Sequence, residues 1–127
     1  MEYLWIALGS ALGGMGRYWL SGVIANRVGE TFPWGTMFVN VTGSFLIGFL
    51  AVSTATEGRL LMSPMARKFL LVGILGGYTT FSSFSLQTLN LMQEGQWGAA
   101  SLNILLSVAA CLLAVWLGHV AGQALSR

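Results

Sequence analysis

The chain has 127 residues, of which 55% are apolar and only 8% are charged, whereas soluble domains typically have about 25% charged residues. Six basic and four acidic side chains are too few to coat a water-facing surface, and the net charge of +2 forms no basic patch for nucleic acid. The composition excludes a soluble globule, a disordered tail and a nucleic-acid-binding module. It indicates an integral membrane protein.

Four apolar stretches are each long enough for a membrane-spanning helix, which needs about 20 mostly apolar residues. They run over about residues 3–25, 34–56, 69–92 and 97–125, and the segments between them contain both prolines and most of the charge. Pro33 and Trp34 mark the start of the second helix, because proline is favoured in a first turn and tryptophan at the bilayer interface. We expect an all-α integral membrane protein whose residues 1–127 form a single four-span domain.

The first stretch contains Arg17, the one charged side chain well inside a predicted span. Arginine stays protonated, so it needs water, an anion or several acceptors there, unless it extends to the interface. Proton-coupled exporters and cation channels generally need a carboxylate in the membrane. All four acidic residues lie instead at span ends or in loops, namely Glu2, Glu30, Glu57 and Glu94.

Polar side chains repeat every fourth residue along two of the predicted helices, so each set lies on one helix face. The second helix has Thr36, Asn40 and Ser44, and the fourth has Asn103, Ser107 and Cys111. Such residues can hydrogen-bond between helices or line a water-filled pathway. Two separate polar tracks, each a row of polar side chains along one helix face, favour the pathway in so small a protein.

The third stretch contains an unusual run of glycine, hydroxyl and aromatic residues from Gly76 to Ser85. Paired glycines and threonines are poor helix formers, so the run predicts an interruption near the middle of the third helix. Backbone carbonyls freed at membrane depth persist only when they are buried in protein or coordinate an ion. Phe81 and Phe84 follow the interruption, and phenyl ring edges carry positive potential that can face an anion.

Small residues also recur at helical spacing, in the pairs Gly9 and Gly13, Gly73 and Gly77, and Gly118 and Gly122. Such pairs let helix backbones approach closely in lipid. We interpret them as packing positions.

An intramembrane arginine, an amide and hydroxyl tracks without a carboxylate favour a small-anion pathway. Fluoride is small and strongly hydrated, so it gives up its water only where many donors replace it together. A narrow, rigid slot rich in donors would suit fluoride better than the larger chloride ion.

Three segments of the chain closely resemble the Fluc (CrcB) family of bacterial fluoride channels: Gly76–Ser85, Gly13–Tyr18, and Gly35–Thr36 together with Val39–Phe45. The resemblance covers all four predicted spans. It implies a channel that passively exports fluoride across the bacterial inner membrane and lowers cytoplasmic fluoride. It also implies an antiparallel, dual-topology homodimer with two pores and a structural sodium ion on the two-fold axis, with no organic cofactor and no enzymatic activity.

The resemblance assigns the pore residues by position. Phe81 and Phe84 correspond to the phenylalanines whose ring edges meet the ion, and Asn40 to the asparagine that donates its amide to fluoride. Thr36 corresponds to a hydroxyl one turn from Asn40, and Arg17 to an arginine near the vestibule.

The backbone carbonyls of Gly76 and Thr79, from both subunits, correspond to the sodium ligands. The fourth helix departs from the family, which commonly begins its polar track with a tyrosine. The matching position in this chain is Asn103, and Ser107 continues the track.

Two other functions are compatible with a small four-span protein. A small multidrug-type, proton-coupled cation exporter would need a carboxylate in the first span, where this chain has Arg17. In a non-transporting membrane scaffold, the polar residues would serve only to join helices.

Overall fold

The computed structural model describes residues 1–55 and 58–127, and every regular element in those residues is helical. Thr56, the predicted end of the second span, and the loop acid Glu57 lie outside the described residues. The elements in chain order are α1 (Glu2–Val28), α2 (Trp34–Ser53), α3 (Pro64–Lys68), a π-helical segment (Phe69–Leu75), α4 (Gly76–Tyr78), α5 (Phe81–Gln93) and α6 (Trp97–Leu125).

The third apolar stretch is a composite helix that runs from α3 to α5. It begins at Pro64, ahead of the apolar stretch itself, because Ser63 caps it by accepting a hydrogen bond from the Ala66 N–H at 3.2 Å. Helix α6 has the bounds of the fourth apolar stretch, Trp97–Leu125.

Three helices of the described residues are long and apolar enough to cross a membrane: Trp34–Ser53, Pro64–Gln93 counted through its interruption, and Trp97–Leu125. Helix α1 has 27 residues, which is sufficient in length. It is less apolar than α2 and α6, since it contains Arg17 among several glycines. That α1 is a fourth span therefore stays a prediction.

The predicted interruption of the third helix is present, and it falls on two residues. Thr79 has φ −84° and ψ 155°, and Thr80 has φ −150° and ψ 116°, so both are extended. Gly76 and Gly77 are themselves helical despite their low propensity, because packing can override propensity. The wide π turn over Phe69–Leu75 has no counterpart in the sequence-based prediction.

Two of the glycine pairs, Gly9 with Gly13 and Gly73 with Gly77, lie where α1 crosses the composite helix. A Cβ atom on Gly9 would lie 2.7 Å from the Phe69 carbonyl oxygen, and one on Gly77 would lie 2.6 Å from the Ser10 carbonyl oxygen. Neither neighbour can give way, since both are backbone atoms. The prediction that these glycines are packing positions is confirmed for this crossing.

Helices α2 and α6 pack along each other in the same manner. A Cβ atom on Gly118 would collide with the carbonyl oxygen of Phe45, and one on Gly48 with that of Val115. Helix α5, in contrast, contacts mainly α6 and to a smaller extent α2. Its outer face carries exposed Phe81, Leu86 and Leu89.

Two basic residues of α3 join the helix ends on one side of the bundle. Arg67 donates to the Ala51 carbonyl at 2.7 Å and to the Thr54 hydroxyl at 3.2 Å, which provides a partner for the end of α2. Lys68 donates to the carboxylate of Glu2 at the start of α1, and this hydrogen bond lowers the pKa of Glu2.

Replacing Gly118 with alanine is expected to destabilise the protein, because the added methyl group meets the backbone of α2. The expected loss is about 1–3 kcal/mol, as for other overpacked contacts, and the measurement is the thermal unfolding midpoint in detergent. Gly98→Ala on the same helix is the control, since its Cβ would meet nothing within 4 Å and alanine favours helix. Equal midpoints for the two variants would contradict the close crossing.

Candidate functional site

The side chain of Asn40 on α2 pairs with the backbone of the helix interruption. Its Nδ2 donates to the Thr80 carbonyl at 2.9 Å, and its Oδ1 accepts from the Thr80 N–H at 2.8 Å. The amide thus supplies both bonds that a neighbouring strand would supply. This pairing satisfies the extended residue at a depth where unpaired backbone groups are costly.

The residues on each side of the interruption are also hydrogen-bonded. The Leu75 carbonyl accepts from both the N–H and the hydroxyl of Thr79, each at 3.1 Å. The Thr80 hydroxyl accepts from the Ser83 N–H at 3.1 Å and so caps α5. The Thr80 side chain therefore holds the first turn of α5, and Asn40 holds the Thr80 backbone.

The interruption also changes what the carbonyls of α4 bind. In a continuous helix the Gly76 and Gly77 carbonyls would accept from the N–H groups of Thr80 and Phe81. The Thr80 N–H is turned to Asn40 instead. The Gly77 carbonyl accepts from Arg17 Nε at 3.2 Å, so the arginine of α1 contacts a carbonyl that the interruption frees.

A groove with a volume of about 370 Å³ lies beside the interruption. The rings of Phe81 and Phe84 form one wall, with centroids 5.4 Å apart and planes tilted by 51°. The polar residues that line the groove are Asn40 and Ser44 of α2, Thr79 and Thr80 of the interruption, and Ser107 and Cys111 of α6. Four predicted pore residues, Asn40, Phe81, Phe84 and Ser107, therefore line one groove.

Thr36 lies elsewhere, in a second and larger cavity of about 930 Å³. That cavity is bounded by the C-terminal half of α1, the connection to α2 and the end of α5, and it also contains Gln87 and Asn90. Within this chain, Thr36 and Asn40 thus belong to different spaces although they are one helical turn apart.

Asn103 does not line the groove, because it lies behind the wall with an exposed fraction of 1%. Its Nδ2 donates to the Thr88 hydroxyl at 2.9 Å, and its Oδ1 accepts from the Ser107 hydroxyl at 3.1 Å. Within the single chain, Asn103 therefore joins α6 to α5 by a hydrogen bond. This is the alternative to a pore-lining role that the sequence left open.

Two residues of the site have roles that the sequence did not indicate. Thr80 is a helix cap and the partner of Asn40, and threonine is among the residues favoured at the N-cap. Thr88 lies at helical spacing from Phe84. Its partner on α6, however, depends on the register between two helices, which periodicity does not fix.

These features together define a multi-pass helical membrane protein with an interrupted helix beside an aromatic and hydroxyl-lined groove. The chain belongs to the CrcB-like family, described as CrcB-like protein, Camphor Resistance (CrcB), whose model matches residues 4–119. This membership confirms the resemblance found in the sequence.

Three relatives match nearly the whole chain. A protein from Opitutus terrae named fluoride-specific ion channel FluC is 60% identical over 124 residues, which are 98% of this chain and 94% of the relative. Proteins of the same name from Methylocella silvestris and Paramagnetospirillum magneticum are each 57% identical over 127 residues, which are all of this chain and 97% and 99% of the relatives.

Asn40→Leu is expected to destabilise the protein, because the Thr80 N–H and carbonyl both lose their partner. Each unpaired buried group costs about 1–3 kcal/mol. The measurement is the thermal unfolding midpoint, with Asn90→Leu on the exposed face of α5 as the matched control. If both variants unfold at the wild-type temperature, Asn40 does not hold the interruption.

Proposed function

We propose that this protein is a fluoride-selective ion channel that passively exports fluoride across the bacterial inner membrane and so lowers cytoplasmic fluoride. The observation that carries the proposal is the convergence of Phe81, Phe84 and Asn40 on one groove at the helix interruption. Relatives that are 57–60% identical and named fluoride-specific ion channels support the same function. It is a channel and not an enzyme.

The groove has groups that suit a small anion. An asparagine amide has two N–H donors, and Asn40 uses one for Thr80, which leaves the other for an ion. The ring edges of Phe81 and Phe84 add positive potential without a formal charge. None of the described residues that line the groove is acidic, so no carboxylate repels the anion.

The proton-coupled cation exporter is not favoured. It would require a carboxylate inside the first predicted span, about residues 3–25, where the charged side chain is Arg17, which contacts the Gly77 carbonyl. The names of the relatives also do not favour an exporter or a scaffold without transport.

We further propose that the functional unit is an antiparallel, dual-topology homodimer with α1 as a fourth membrane span. The outer face of α5 supports a second copy, since Phe81 is 76% exposed although its ring lines the groove. A partner that covers this face would close the groove into a pore. Two such pores would follow from the two-fold symmetry.

A structural sodium ion on the two-fold axis is the remaining part of the proposal. The carbonyls of Gly76 and Thr79 are hard oxygen ligands, which suit such a cation. The Gly76 carbonyl fits the role because the Thr80 N–H, its usual helical partner, donates to Asn40. Two copies would contribute four carbonyls, so no acidic ligand is needed.

Phe81→Ile and Phe84→Ile are each expected to lower passive fluoride efflux from proteoliposomes by at least tenfold, because an aliphatic side chain has no positive edge. The measurement is fluoride release recorded with an ion-selective electrode. Leu105→Ile, at an exposed apolar position of α6 that does not line the groove, is the control and should conduct like the wild type.

The same assay separates the alternatives. The channel requires fluoride efflux that exceeds chloride efflux and does not depend on a proton gradient. Proton-driven cation export would identify the exporter instead, and an absence of flux for all ions would identify the scaffold.

The purified protein is expected to retain sodium, at one ion per two chains, after prolonged dialysis into sodium-free choline buffer, since the site would be buried between the subunits. Elemental analysis of the dialysed protein measures the ion, and size-exclusion chromatography reports the dimer. Complete loss of sodium with an unchanged dimer would refute a buried structural site.

A further inference from the structure

A buried chain of three hydrogen bonds connects the groove wall of α6 to the backbone of α5. Ser107 Oγ donates to Asn103 Oδ1 at 3.1 Å, Asn103 Nδ2 donates to Thr88 Oγ1 at 2.9 Å, and Thr88 Oγ1 donates to the Phe84 carbonyl at 2.7 Å. The exposed fractions of Ser107, Asn103 and Thr88 are 6%, 1% and 6%. Of these three side chains only that of Ser107 lines the groove.

The direction of these bonds follows from the last one. A carbonyl oxygen only accepts, so the single hydroxyl proton of Thr88 is committed to Phe84. Thr88 can then only accept from Asn103, which places the amide nitrogen towards Thr88 and the amide oxygen towards Ser107. The Ser107 proton therefore points to Asn103, and the oxygen lone pairs remain for the groove.

The opposite direction is possible, but it retains fewer bonds. If Thr88 donated to the Asn103 oxygen, the amide nitrogen would donate to Ser107 and the Ser107 proton would be free for the groove. That arrangement has two internal bonds instead of three, because the bond from Thr88 to the Phe84 carbonyl is lost. Thr88 thus favours the direction with the Ser107 proton towards Asn103 by one hydrogen bond.

We propose that Thr88 and Asn103 are positioning residues that hold the Ser107 hydroxyl proton towards Asn103, so that α6 can donate to fluoride only by giving up one internal hydrogen bond. This inference rests on the proposed channel function. The lost internal bond offsets part of what Ser107 gains by donating to fluoride, so fluoride binds more weakly at this level of the pore, and conduction requires that an ion bind weakly enough to leave. Asn103, predicted as a pore residue, acts in this way through Ser107.

The test is the fluoride concentration that gives half-maximal efflux from proteoliposomes, compared among Thr88→Val, Thr88→Ser and the wild type. Valine removes the hydroxyl, so the only remaining bond joins Ser107 to the Asn103 amide, and either group can donate in it. Ser107 can then donate to fluoride without the loss of an internal bond. One net hydrogen bond corresponds to about a threefold to tenfold fall in the half-maximal concentration. Thr88→Ser retains the hydroxyl and should match the wild type.

The Ser107→Ala background distinguishes positioning from general damage. Thr88→Val should then leave the half-maximal concentration unchanged relative to Ser107→Ala alone, because the group that it releases is absent. Asn103→Leu provides a second route if Thr88→Val does not assemble. It removes the acceptor of the Ser107 proton and should lower the half-maximal concentration in the same way.

The proposal is overturned if the half-maximal concentration of assembled Thr88→Val or Asn103→Leu protein is unchanged or higher than that of the wild type. It is also overturned if Thr88→Ser behaves like Thr88→Val. A third contradicting result is a fall in the Ser107→Ala background as large as the fall that Thr88→Val causes in the wild type. A wild-type protein that conducts no fluoride would instead refute the channel function, so the two failures are distinguishable.

Discussion

The pairing of the Asn40 amide with the Thr80 backbone is the constraint on which the rest of the site depends. A helix interrupted inside a bilayer exposes donors and acceptors that water cannot reach, and one side chain satisfies an N–H and a carbonyl of the same residue. With Thr80 held extended, α5 begins at Phe81 and the two phenyl rings face the groove. The same geometry turns the Thr80 N–H away from Gly76 and leaves the Gly77 carbonyl to Arg17. The candidate pore residues and the candidate sodium ligands are therefore two results of one interruption.

Helix α2 is the element that connects this site to the packing of the bundle. Its glycine at position 48 and Gly118 of α6 let the two backbones approach closely, and this crossing brings Asn40 and Ser107 to the same groove. On the other side, Gly9 and Gly77 hold α1 against the composite helix. Close backbone approach thus determines where a few polar side chains meet, which is consistent with helix association in lipid.

The sequence predicted those features that depend on local chemistry. The run from Gly76 to Ser85 was sufficient to predict the interruption, and the glycine pairs were sufficient to predict close crossings. The four-residue spacing predicted that Asn40 and Ser107 each lie on a polar face of their helix, and both residues line the groove. The membrane-spanning role of α1, the homodimer and the sodium ion stay predictions.

Features that depend on the register between helices were not accessible. Asn103 shares a face with Ser107, yet it is buried behind the wall, where it donates to Thr88. Thr36 shares a face with Asn40 but lines the second cavity and not the groove. Periodicity shows which residues lie on one face, whereas the partner of each face follows from how the helices pack.

The exposure of Phe81 bears on the state of a newly inserted chain that has not yet found its partner. Under the proposed dimer, a newly inserted chain has only half of each conduction path, with an aromatic ring still in contact with lipid acyl chains. Such a lone chain would be electrically silent, so synthesis would not leak ions while partners are scarce. Transport would then appear only once oppositely inserted copies have met, and it would rise with the square of their abundance at low expression.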